Sequence, residues 1–265
     1  MVFLEFVLNG FFVAIGGYVC SVIPSEARNP SSFCPRRALR EGFFMERHFE
    51  KDLSELKERL LWMGSLAERS VHQAVHAVLD SDEELARRVL EEEDAINELQ
   101  MEIDDRVVQL LALHQLMAID LRLVLAISRI NNDLERIGDQ AVNIAQGALR
   151  ILRHPRVKPY VDLPRMSDLV EEMVRNALNA VVRRDVDLAQ QVLATDDQVD
   201  HYRDQIFREL LTYMMGDSSV VFPAFELILA AKNLERIGDH ATNIAEDVIY
   251  IVRGKDVRHP TVDRR

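Results

Sequence analysis

A thirteen-residue segment occurs twice in this chain, and the repeat constrains the fold more than any other feature. Residues 133–145 read DLERIGDQAVNIA and residues 233–245 read NLERIGDHATNIA, with ten of thirteen positions identical. Upstream, ELARRVLEEEDAIN from Glu84 aligns with DLAQQVLATDDQVD from Asp187. The sequence therefore predicts two copies of one structural unit.

Apolar residues at intervals of three and four predict three helices in each copy. The predicted helices cover residues 45–79, 81–114 (with Ser81 and Glu84 as a capping box), 118–152, 167–184 (N-cap Ser167), 185–215 (N-cap Asp185) and a last helix with Pro223 in its first turn that ends near Val252. The expected fold is all-α, with two tandem antiparallel three-helix bundles related by the internal repeat.

Proline positions divide the two bundles. The first bundle is predicted over residues 45–155 and the second over residues 166–255. Between them, a linker at residues 156–165 contains Pro159 and Pro164, which should interrupt a helix. A polar tail follows at residues 256–265.

The first 44 residues differ from the rest of the chain. Residues 2–23 are mostly apolar and about long enough to span a bilayer, and four arginines follow between residues 28 and 40. We expect that translation starts at Met45 and that residues 1–44 are a start-site artefact. The alternative is a membrane anchor that holds the body in the cytoplasm.

Charge and cysteine content limit the classes of function. The chain carries 32 Lys and Arg against 44 Asp and Glu, a net charge of −12, so its surface should repel nucleic acid and attract cations. Both cysteines, Cys20 and Cys34, precede Met45, and a body without cysteines suits a reducing, cytoplasmic compartment. The chain shows no motif for a nucleophile with its base or for a phosphate-binding loop, which argues against an enzyme.

The repeated helix carries a stripe of polar side chains outside its apolar seam. At about 100° per residue, Glu, Asp and Asn one turn apart share one face, well away from the seam. These oxygen ligands suit a hard cation such as Mg, Ca, Mn or oxidised Fe. The candidate metal ligands are Glu135, Asp139 and Asn143, and their copies Glu235, Asp239 and Asn243.

Two alternatives remain for this stripe. A buried di-iron centre is disfavoured because the inward positions are apolar. The carboxylates could instead be solvated or pair with Arg136 and Arg236. An exposed ion pair of this kind contributes about 0–1 kcal/mol to stability. Gly138 and Gly238 beside the aspartates indicate close approach of a neighbouring helix or of a bound species.

Neighbouring helices offer weaker candidates. Asp196 and Asp200 are one turn apart on the fifth helix, and the second helix offers Glu93, Asp94 and Asn97. His72 and His76 also lie one turn apart on the first helix and are a possible pair of metal ligands. The second copy has Arg175 and Asn179 at those positions, so we interpret the histidine pair as ordinary surface residues.

Over about residues 45–255 the chain resembles the PhoU family of phosphate-transport accessory regulators. The resemblance rests on both LERIGD segments, on AIDLR at residues 118–122 and on ELLTYM at residues 209–214. It implies two three-helix bundles in a cytoplasmic protein that is often a homodimer. It also implies restraint of phosphate uptake through the phosphate ABC transporter ATPase subunit and the phosphate sensor histidine kinase.

In that family the Glu/Asp-x-x-x-Asp motif holds multinuclear metal clusters, which the resemblance places at Glu135/Asp139 and Glu235/Asp239. Residues 1–44 have no place in the family pattern. We expect a non-enzymatic adaptor that binds divalent or trivalent cations (Fe, Mn, Mg or Zn). The alternatives are a metal-dependent phosphohydrolase and a purely structural adaptor.

Overall fold

Six α-helices account for nearly all of the chain that the computed structural model describes, namely residues 35–255 and 257, with side chains from residue 49 onward. The helices are α1 (Pro35–Asp80), α2 (Glu83–Leu113), α3 (Ala118–Ile151), α4 (Asp162–Arg183), α5 (Val186–Gly216) and α6 (Val221–Arg253), with a 3₁₀ turn at Ser218–Val220 before α6. No strand occurs among these residues. The all-α fold with two tandem three-helix bundles is confirmed.

Aspartates cap the second helix of each bundle. The Asp185 carboxylate accepts hydrogen bonds from the backbone N–H groups of Asp187 and Leu188, as predicted. The predicted Ser81 cap of α2 is wrong: Asp82 accepts from the N–H groups of Glu84 and Leu85, while Ser81 occupies a left-handed turn with φ of 57°. A carboxylate one residue later offers a stronger acceptor to the exposed N–H groups.

Two helices begin earlier than predicted. Helix α4 starts at Asp162, so the predicted linker at residues 156–165 is too long and Ser167 is not an N-cap. Pro164 lies in the first turn, where its missing N–H has no helical partner to lose. Ser167 is instead buried within α4, and its hydroxyl donates to Glu171 Oε1.

Helix α1 already includes Pro35, ten residues before Met45, where the helix was predicted to begin. The apolar segment at residues 2–23, with both interpretations of it, lies outside the described residues. None of the helices in the described part of the chain combines the length and apolar character that crossing a bilayer requires.

The predicted apolar seams of α3 and α6 form the centre of the core. Their buried members are Leu134, Ile137, Ala141, Ile144 and Ala148 on α3, and Leu234, Ile237, Ala241, Ile244, Val248 and Ile251 on α6. Ile151, at the end of α3, is half-buried. Helices α2 and α3 pack together in the first bundle, and α4 and α5 pack on α6 in the second.

The two repeated helices also pack against each other, in antiparallel orientation. Arg129 on α3 lies 2.8 Å from Asp247 near the end of α6, whereas Arg150 at the end of α3 bonds Glu226 near the start of α6. Asp133 meets His240 between these two pairs. The described residues from Phe49 onward therefore form one compact unit in which the two bundles share the α3–α6 contact.

Candidate functional site

The second bundle gathers four of the predicted carboxylates where α5 packs on α6. Asp196 and Asp200 on α5 adjoin Glu235 and Asp239 on α6. We call these four residues the α5–α6 acidic cluster. Partial burial raises the pKa of Asp196 to about 6, assisted by the negative charges of Asp239, Asp200, Asp197 and Glu235. Partial burial, Glu235 and Asp200 also raise the pKa of Asp239.

One guanidinium offsets part of this negative charge. Arg203 Nη1 donates to Glu235 Oε1 at 2.7 Å and lies 3.0 Å from Asp200 Oδ1. Asp196 and Asp239 form no ion pair among the described residues, although His240 and Arg203 partly offset the raised pKa of Asp239. The alternative that the stripe pairs with Arg236 is wrong for this bundle, because the cation in place is Arg203 on α5.

The first bundle arranges the same stripe differently. Arg136 Nη1 donates to Asp139 Oδ2 at 3.2 Å and its Nε lies 3.4 Å from Glu135 Oε2. Burial and Asp139 raise the pKa of Glu135, while Arg136 and His240 act in the opposite direction. In this bundle the predicted pairing with Arg136 therefore occurs.

The weaker candidates on α2 do not join the first stripe. Glu93 and Asn97 are half-buried and Asp94 is exposed. None of the hydrogen bonds or ion pairs found among the described residues links them to Glu135 or Asp139. Asn143 is exposed on α3, and Asn243 is half-buried and donates to Asp133.

The stripe is less exposed than its position outside the seam suggested. The side chains of Glu135 and Glu235 are only 17% and 20% exposed, because the adjoining helices cover one edge of the stripe. The carboxylates lie outside the apolar seam, as expected, but they border helix contacts rather than an open face.

Helix packing accounts for Gly138 but does not require a glycine at position 238. A Cβ at Gly138 would lie 3.0 Å from Ile96 Cδ1 on α2, and one at Gly238 would lie 3.6 Å from Val199 Cγ1 on α5. The same Cβ at Gly238 would lie 3.8 Å from Asp196 Oδ1, which is also an ordinary contact distance, so α5 could approach α6 with an alanine in its place.

Sequence reasoning missed the polar contact at the centre of the α3–α6 interface. His240 Nδ1 lies 2.9 Å from Asp133 Oδ1, and Asn243 Nδ2 donates to the same oxygen at 3.2 Å. The signal was available, because positions 133 and 140 of the first segment differ from positions 233 and 240 of the second. Two of the three differences between the thirteen-residue copies thus supply the partners, Asp133 and His240.

The acidic cluster has the donor chemistry for a hard cation. Its four carboxylates are close enough that their negative charges, together with partial burial, raise the pKa values of Asp196 and Asp239. Arg203 is the guanidinium that pairs with the other two, Asp200 and Glu235. As the described side chains stand, no three His, Cys, Asp or Glu groups converge on a single metal position. Binding one cation would therefore require rotation of these side chains.

Comparison with known proteins identifies the family. The PhoU domain model matches residues 60–148 and again residues 163–248, one match for each bundle. This chain belongs to the PhoU family. A Pseudomonas aeruginosa relative, the phosphate-specific transport system accessory protein PhoU homolog, is 43% identical over 216 residues, covering 81% of this chain and 89% of the relative. A homolog from Clostridium acetobutylicum is 38% identical over 210 residues, covering 79% of this chain and 96% of the relative.

Solved PhoU structures share the fold. The crystal structure of PhoU from Pseudomonas aeruginosa has a TM-score of 0.76 at 43% identity and covers 78% of this chain and 100% of that chain. The phosphate transport system regulatory protein PhoU from Streptococcus pneumoniae has a TM-score of 0.73 at 28% identity, with 80% and 100% covered. Each PhoU domain match contains one LERIGD segment, so the repeat read from the sequence is the family's tandem domain.

Proposed function

We propose that this chain is a cytoplasmic, non-enzymatic regulator that restrains phosphate uptake. The observation that supports it most strongly is the double PhoU domain match, together with relatives named as phosphate-specific transport system accessory proteins. In this proposal the chain forms a homodimer and contacts the phosphate ABC transporter ATPase subunit and the phosphate sensor histidine kinase.

Affinity capture tests the partner assignment. The chain, tagged at its C-terminus and expressed at its native level, is captured from phosphate-replete and phosphate-starved cells. The transporter ATPase subunit or the sensor kinase should co-purify under phosphate-replete conditions. Recovery of neither, from lysates in which both proteins are present, would contradict the proposal.

The proposal also includes cation binding at the α5–α6 acidic cluster. Asp196, Asp200, Glu235 and Asp239 would hold the ion, and Asn243 adjoins them on α6 one turn after Asp239. A bound cation would supply the positive charge that Arg203 alone does not provide. The raised pKa values of Asp196 and Asp239 support this choice, because partial burial is their largest cause and the negative charges of neighbouring carboxylates add to it.

Matched substitutions in the two bundles test whether the cation binds at the α5–α6 acidic cluster. After loading with Mn²⁺, Fe³⁺, Mg²⁺ or Zn²⁺ and dialysis, the metal content is measured by mass spectrometry. Asp196→Asn with Asp239→Asn should remove most of the bound metal. Glu135→Gln with Asp139→Asn should remove less, because Arg136 already pairs with those carboxylates. Equal loss from both bundles, or no loss from either, would overturn the assignment to α5 and α6.

A further inference from the structure

Two histidines on α1 are each held by a carboxylate through the same ring nitrogen. His72 Nδ1 lies 3.0 Å from Glu171 Oε2 on α4, and His76 Nδ1 lies 3.0 Å from Asp80 Oδ2 one turn further along α1. Their ring centroids are 4.4 Å apart. This pair involves none of the residues of the α5–α6 acidic cluster or of the first stripe.

The carboxylates determine which nitrogen of each imidazole carries the proton. An ionised carboxylate only accepts hydrogen bonds, so Nδ1 must carry the proton in each neutral ring. The lone pair then resides on Nε2, and no hydrogen bond found in the described part of the chain uses either Nε2. The side chains of His72 and His76 are 56% and 41% exposed, so solutes can reach them.

Glu171 is itself fixed in position. Its side chain is 18% exposed, and the Ser167 hydroxyl donates to its second oxygen, Oε1, at 3.0 Å. The chain of contacts from Ser167 through Glu171 to His72 therefore orients the imidazole before any ligand arrives. A carboxylate that accepts from the remote nitrogen of a metal-binding histidine has this orienting role and increases the basicity of the ligating nitrogen.

We propose that His72 and His76 form a two-histidine site for a divalent transition-metal ion, bound through both Nε2 atoms with water in the remaining positions. Imidazole ligands favour Cu²⁺, Ni²⁺ and Zn²⁺ over Mg²⁺ and Ca²⁺, and affinity should be highest for Cu²⁺. With metal–nitrogen bonds of about 2 Å, two imidazoles at a right angle place their centroids roughly 4.5 Å apart. The observed spacing is compatible with this tetragonal arrangement.

The site is specific to the first bundle and independent of the proposed function. The second copy has Arg175 and Asn179 at the corresponding positions, so the repeat does not duplicate it. Since Glu171 belongs to α4, the site also joins the first bundle to the second. Its ligands are imidazoles rather than carboxylates, so its metal preference differs from that of the α5–α6 acidic cluster.

Copper titration of the full chain tests the site. Binding is followed by calorimetry and by electron paramagnetic resonance, in the presence of excess Mg²⁺ to occupy sites that prefer hard cations. The wild-type chain should bind Cu²⁺ with a hyperfine pattern from two imidazole nitrogens. His72→Ala and His76→Ala should each lower the affinity by roughly tenfold or more and remove the two-nitrogen pattern.

Two further variants separate ligation from positioning. Glu171→Gln should retain the two-nitrogen pattern but bind Cu²⁺ about tenfold more weakly, as expected for an orienting partner. His154→Ala, which alters an exposed histidine elsewhere, should match the wild type. Wild-type affinity and a two-nitrogen pattern in the His72→Ala/His76→Ala double variant would overturn the proposal.

Discussion

Asp196 illustrates how a single residue reports the electrostatics of the α5–α6 acidic cluster. Its carboxyl is partly buried on α5 among other carboxylates, and its pKa is raised to about 6 from a usual value near 3.8. The folded protein therefore binds a proton at Asp196 more readily than the unfolded chain does. The cost to stability is present in full above about pH 6 and is relieved as the pH falls from 6 towards 4.

Asp196→Asn should therefore stabilise the metal-free protein at pH 7. We expect a gain of about 1 kcal/mol in the free energy of unfolding, reduced from the full linkage value because the side chain is partly exposed. The gain should shrink at pH 4.5, where the wild-type carboxyl is largely protonated. Urea unfolding at both pH values, with chelator present, measures it. Asp94→Asn on exposed α2 surface serves as the control, and an equal effect there would contradict the explanation.

The two mid-helix glycines should respond differently to alanine. Gly238→Ala adds a methyl group at ordinary contact distance, 3.6 Å from Val199 Cγ1, so the helix-propensity gain of roughly 0.5–1 kcal/mol should dominate. Gly138→Ala places the methyl 3.0 Å from Ile96 Cδ1 and 3.4 Å from its Cγ2, and a β-branched side chain has little freedom to move aside. Thermal unfolding should show Gly238→Ala as the more stable variant. The reverse order would contradict the packing explanation.

At the scale of elements, sequence patterns predicted the helices well and their contacts poorly. The apolar spacing located α3 and α6 to within a residue or two, because both are long and amphipathic. It could not predict that α3 and α6 pack antiparallel, since an internal repeat describes each copy and not the orientation between copies. Nor could the apolar spacing predict that the first stripe pairs with Arg136 on its own helix whereas Glu235 in the second stripe pairs with Arg203 on α5. The partner depends on which helix lies alongside the stripe.

The antiparallel α3–α6 contact includes a buried carboxylate that should contribute to stability. Glu226 on α6 is 7% exposed and accepts two hydrogen bonds from Arg150 on α3, at 2.9 and 2.8 Å. Glu226→Gln should lower the free energy of unfolding by about 1–2 kcal/mol, less than for a fully buried pair because Arg150 is half-exposed. Glu92→Gln, which removes the charge from the surface pair with Arg69, should change it by less than about 0.5 kcal/mol. Denaturant unfolding of the two variants measures the difference, and equal losses would contradict the assigned role of Glu226.

At the scale of the whole molecule, the internal repeat predicted the two bundles and their family, while the differences between copies explain the candidate sites. The α5–α6 acidic cluster exists because α5 carries Asp196 and Asp200, where α2 has Glu93 and Asn97. The Asp133–His240 contact and the His72–His76 pair likewise use residues that the other copy lacks. Aligning the two copies by their identical residues reveals the two bundles. The candidate sites, in contrast, are formed by residues that differ between the copies.

The proposed restraint of phosphate uptake can be tested by measuring the uptake of radiolabelled phosphate in phosphate-replete cells that lack this chain. Uptake should remain high in the deletion strain, and supplying the wild-type chain should restore the restraint. The Asp196→Asn/Asp239→Asn variant, produced at the same level, should restore it only weakly. Uptake in the deletion strain equal to that of the parent strain would contradict the proposed regulatory role.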